Sequence, residues 1–75
     1  MAHTFEDLVE LERQAEAARA RYVESPDGET RAAWRDAADV FQAAVTEYAA
    51  AEGESRINVE MAAKKTVRHP QTEAA

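Results

Sequence analysis

Ser25-Pro26-Asp27-Gly28 separates two long segments of helical apolar periodicity, and it decides how the chain folds. Pro26 lacks the N–H that a helix interior needs, and Gly28 loses more backbone freedom on ordering than any other residue. So close together they do not sit inside one continuous helix. The chain is therefore expected to break here and fold back on itself.

Before the break, Leu8, Leu11, Ala15, Ala18 and Tyr22 recur at spacings of 3, 4, 3 and 4. That spacing puts all five on one helix face. Thr4 precedes Phe5-Glu6-Asp7, a hydroxyl followed three residues on by an acid, which reads as a capping box. Glu6, Asp7 and Glu10 also lie where the helix dipole favours negative charge. A first helix is predicted over about residues 5–23.

After the break, Trp34, Ala38, Phe41, Val45 and Tyr48 repeat at 4, 3, 4 and 3. Asp27, Thr30 or Ser25 can cap this segment, and Gly53 is a natural stop because Gly accepts the left-handed conformation past a helix end. A second helix is predicted over about residues 29–52. A short turn between helices of similar length makes them antiparallel neighbours. The resulting register puts Tyr22 near Trp34, Ala18 near Ala38, Ala15 near Phe41, Leu11 near Val45 and Leu8 near Tyr48. Small opposite large at Ala15 and Phe41 suits interdigitated packing.

The second helix carries more apolar surface than the first can cover. Ala33, Ala37, Val40, Ala44 and Ala51 form a second stripe beside the main seam, and Phe5 and Val9 sit to one side of the seam on the first helix. A bare hairpin of this length buries few large side chains against the entropy of ordering it. The rest of the chain, a second copy or another protein is expected to cover these patches.

Residues 54–69 allow two readings. Ser55 can cap a third helix running to about Thr66, with Glu60 and Lys64 as a favourable i,i+4 pair. Against that, Arg56-Ile57-Asn58-Val59-Glu60-Met61 alternates polar and apolar, the period of a half-buried strand. Met61-Ala62-Ala63-Lys64-Lys65 continues helically and no second strand signal exists, which favours the helix. The expected fold is all-α: one domain over residues 1–69, made of a hairpin over 4–53 and a third element over 54–69, with a flexible tail at 70–75.

Composition narrows the function. The 75 residues contain no Cys, so disulfides and thiolate metal sites are excluded. No apolar run approaches the length of a membrane span, and the first ten residues lack a signal-peptide pattern, which reads as a soluble cytoplasmic protein with no membrane partner. The net charge of −6 is uneven: residues 1–55 hold 13 acids against five Arg, a net −8, while residues 56–75 hold four bases against two acids, a net +2. The acidic body repels phosphates.

Little points to chemistry. His3 and His69 stand near opposite ends of the chain. Glu12 and Glu16, one turn apart, have no histidine beside them and are expected to point away from the Leu8–Tyr22 seam. No metal site or cofactor is therefore expected. Ser25 and Ser55 fit turn and cap roles, and Gly28 and Gly53 do not make a phosphate loop. The sequence reads as non-enzymatic. Trp34, Phe41 and Tyr48, at heptad spacing, read as core rather than a base-stacking platform.

Tyr48-Ala-Ala-Ala-Glu52 resembles the Tyr-x-x-x-acid signal that ends the hairpin in substrates of the type VII secretion pathway, which are themselves signal-less acidic helical hairpins. The Trp-x-Gly turn of that family is absent. Trp34 lies inside the second helix, and the turn is Ser25-Pro26-Asp27-Gly28. The resemblance implies a secreted helical hairpin as a third functional reading.

The leading reading is a small protein–protein interaction module that buries an apolar helix face by self-association, a dimer being favoured, or against a helical partner. Leu8, Leu11, Ala15, Trp34, Phe41, Val45 and Tyr48 are expected to pack the hairpin, and Phe5, Val9, Val40, Ile57, Val59 and Met61 to form the interface. The alternative is a nucleic-acid-associated regulator that contacts phosphate through Lys64, Lys65 and Arg68 in the basic segment 56–69.

Overall fold

Three side chains fix where the helices begin. The computed structural model describes residues 3–69, which form α1 (Phe5–Glu24), α2 (Gly28–Glu52) and α3 (Arg56–Arg68). At α1 the Asp7 N–H donates to Thr4 Oγ1 at 3.1 Å while the Thr4 N–H donates to Asp7 Oδ2 at 2.9 Å. The reciprocal pair is the capping box read from the sequence, with Asp in the place of the usual Glu.

Of the three caps possible at α2, Asp27 is the one used. The Thr30 N–H donates to Asp27 Oδ1 at 2.8 Å, and the Asp27 N–H donates to Thr30 Oγ1 at 3.2 Å. The Thr30 hydroxyl also donates to the Ser25 carbonyl at 2.9 Å, which ties the turn to the helix it starts. These donors favour the charged form of Asp27, and its carboxyl is held below the usual range. Pro26 thus stays outside both helices. At the other end Gly53 takes φ +67°, the left-handed stop expected of it.

The region left open between helix and strand is helix. Ser55 Oγ accepts the Asn58 N–H at 3.3 Å, and α3 runs two residues beyond the predicted Thr66, to Arg68. The polar–apolar alternation over 56–61 failed as a strand signal because a lone strand has no edge to pair with, whereas Arg56–Glu60 and Glu60–Lys64 both close at i,i+4. The predicted tail 70–75 lies outside the described residues.

α1 and α2 pack antiparallel, and α3 lies against both. Leu8, Phe41, Ala44, Val45 and Ala49 form one buried cluster with Val59 and Ala63 of α3, and Phe5, Leu11 and Tyr48 pack on its edge. The predicted register holds at the turn end, where the Tyr22 and Trp34 rings stand 5.5 Å apart. At the far end Tyr48 meets the Phe5 ring, with centroids 6.4 Å apart. Among the described residues no helix is long and apolar enough to cross a membrane.

Candidate interaction surface

α3 has two faces of opposite character, and together they define the candidate site. The inner face is small and polar-edged. Val59 and Ala63 are buried, one turn apart, against the hairpin. Around them sits a set of charged and amide groups joining α3 to both other helices.

The deepest of these is Glu12. Its side chain is 2% exposed, with Lys64 Nζ 3.5 Å from Oε1. Lys64 Nζ also lies 5.3 Å from the centre of the Phe41 ring and 3.9 Å from Glu60. Burial raises the Glu12 carboxyl above its ordinary value of 4.5, with the charge of Glu16 pushing the same way, while Lys64 and, more weakly, Arg68 pull it back down. On the α2 side, Gln42 Nε2 donates to Glu60 Oε2 at 3.1 Å and Arg56 Nη1 donates to Glu60 Oε1 at 3.1 Å. Arg56 also donates to Thr46 Oγ1 at 3.0 Å and to Gln42 Oε1.

Glu12 corrects the sequence reading. It does not point away from the packed face; it lies between α1 and α3. Val9, Glu12 and Glu16 recur at spacings of 3 and 4, a second stripe beside the Leu8 seam. That stripe, with Lys64 as the complementary charge, was the available signal. Nothing in the hairpin alone covers that stripe, so only the third helix reveals it as interior.

The outer face of α3 is apolar and exposed. Ile57 is 65% and Met61 63% exposed, and Val40 of α2 is 53% exposed. The six residues expected at an interface therefore divide. Phe5 is half-buried against Tyr48, and Val9 and Val59 are covered within the chain. Val40, Ile57 and Met61 remain on the surface. Val59 packs inward with Ala63, and 100° per residue then carries Ile57 and Met61 to the opposite side.

The residues considered for phosphate divide as well. Lys64 is engaged by Glu12 and Glu60, while Lys65 and Arg68 are exposed at the end of α3. His3, at the start of the chain, has Nε2 3.0 Å from Glu47 Oε1. Among the described residues no group of three or more His, Cys, Asp or Glu side chains is placed to hold a metal ion. The chain matches no protein-family model, no curated protein and no solved structure.

Proposed function

We propose that this protein is a small non-enzymatic interaction module that uses the outer face of α3 to associate with a second copy or with a helical partner. One observation carries the reading. α3 holds itself to the hairpin with its small residues, Val59 and Ala63, and turns its two large apolar residues, Ile57 and Met61, to the surface. A short amphipathic helix ordinarily buries its largest apolar side chains first, since burial of each contributes about 1.5–3 kcal/mol. Here both lie one turn apart on a single exposed ridge, which suits an i,i+4 contact with another helix.

The nucleic-acid reading has less to draw on. Lys64 is bound within the chain, and Lys65 and Arg68 stand beside an acidic body. Light scattering on the purified chain across the micromolar range tests the proposal, beside a variant with Ile57→Glu and Met61→Glu. Association of the native chain that is lost in the variant supports it. Equal masses for the two at every concentration, with no helical partner recovered that prefers the native chain, contradict it.

A further inference from the structure

The α3 ridge is apolar at its centre, with acids in the segment just before it and bases in its last turn. Glu52 and Glu54 are exposed just before its N-terminus, Ile57 and Met61 follow, and Lys65 and Arg68 are exposed in its last turn. Neither Glu54 nor Lys65 makes an ion pair among the described residues. We infer that the occupant of this ridge is the same ridge of a second copy, the two α3 helices running antiparallel about a two-fold axis at Met61.

The charge pattern selects that arrangement. With the axis at Met61, Met61 faces Met61 of the other copy, and Ile57 lies along the aliphatic stem of its Lys65. Glu54, outside the helix and just before the Ser55 cap, comes beside the last turn of the other copy, which carries Arg68, and the same pairs recur on the other side of the axis. A parallel pairing would set acid against acid at one end and base against base at the other. Antiparallel helices also bring each positive dipole end beside a negative one. The contact is self-complementary, so it closes as a dimer instead of propagating. Val40 takes no part. It lies two residues before Gln42, which faces α3, and so about 200° around α2 from it.

A helix of 13 residues is about 20 Å long, so this contact falls at the low end of interface sizes and predicts a reversible dimer. The inference rests on the self-association reading above, and the test separates the two.

Because the sequence contains no Cys, each single-cysteine variant carries one thiol. Met61→Cys, Ile57→Cys and Val40→Cys replace exposed side chains, so the fold is retained. In an oxidising glutathione buffer, Met61→Cys is expected to form a covalent dimer at least about tenfold faster than Ile57→Cys. Two Ile57 positions would lie about 12 Å apart along the axis, beyond the reach of a disulfide. Val40→Cys is expected to stay single. Glu54→Lys and Arg68→Glu should each weaken association when alone and restore it when mixed in equal amounts. Faster cross-linking of Ile57→Cys or Val40→Cys, with native chains still associating, overturns the antiparallel pairing and leaves self-association standing. A native chain that scatters as a monomer at all concentrations overturns both.

Discussion

The two halves of the hairpin are built alike and buried differently. Both carry the same alternation of 3 and 4 along the seam and both place an aromatic of α2 against α1. In the half covered by α3, Leu8, Phe41 and Val45 are at most 1% exposed. In the half nearer the turn, Tyr22, Trp34 and Ala38 are only partly covered, and Val23 is 62% exposed. Two helices side by side shield only the line of contact between them. A third layer is what converts a seam into a core, and α3 reaches over one half alone.

The contrast is sharpest in truncations. Phe41→Ala removes a fully buried ring and is expected to cost about 3–5 kcal/mol, a large share of the stability of a domain this size. Urea denaturation measures it, and a cost below that of Trp34→Ala would erase the distinction between the halves.

The next largest effect tests how α3 is held. Lys64→Met leaves Glu12 buried without its partner, with an expected cost of about 2–3 kcal/mol near pH 7, short of a fully buried pair because the Lys64 side chain is 31% exposed. Glu12 in the folded chain binds its proton more tightly than the ordinary value of 4.5, and more tightly still without Lys64. Its contribution to stability is therefore present at pH below that ordinary value and lost as pH rises through the raised one. The deficit of Lys64→Met should shrink on acidification through that range. Adding Glu12→Leu should recover most of it at neutral pH; a variant whose deficit ignores pH would show that Glu12 is not the cause.

Trp34→Ala, in the open half, is expected to cost about 1–2 kcal/mol, since a half-covered ring loses less contact. Fluorescence should show that Trp34 is already partly reached by quenchers in the folded chain. The smallest effect is at the turn. Asp27→Ala removes the α2 cap and should lower the melting temperature slightly. Because the Asp27 carboxyl is held below its ordinary value of 3.8, its contribution is present above that value and fades as pH falls through the lower one. The native chain and the variant should converge in strong acid.

Much of this was legible in the sequence because local signals agreed with one another. Thr4 and Ser55 mark two of the starts, Asp27 is one of three caps on offer for the third, Gly53 marks a stop, and Tyr22 with Trp34 names the register at the turn end. What was not legible depends on α3. Its phase decides that Val59 goes in while Ile57 and Met61 stay out, and two apolar sets on opposite sides of one short helix leave that choice to tertiary packing. Glu12 was misread for the same reason. A charged residue on the edge of a two-helix seam is solvated until a third helix with a matching Lys lies over it. Val9 changes meaning with it, from surplus apolar surface to interior.

Amide hydrogen exchange along α2 tests most directly that α3 decides which half of the hairpin is core. Amides from Phe41 to Ala49 are expected to exchange only through global unfolding, and those from Trp34 to Ala38 measurably faster, through local opening. Uniform protection along α2, or slower exchange in the half nearer the turn, would contradict it.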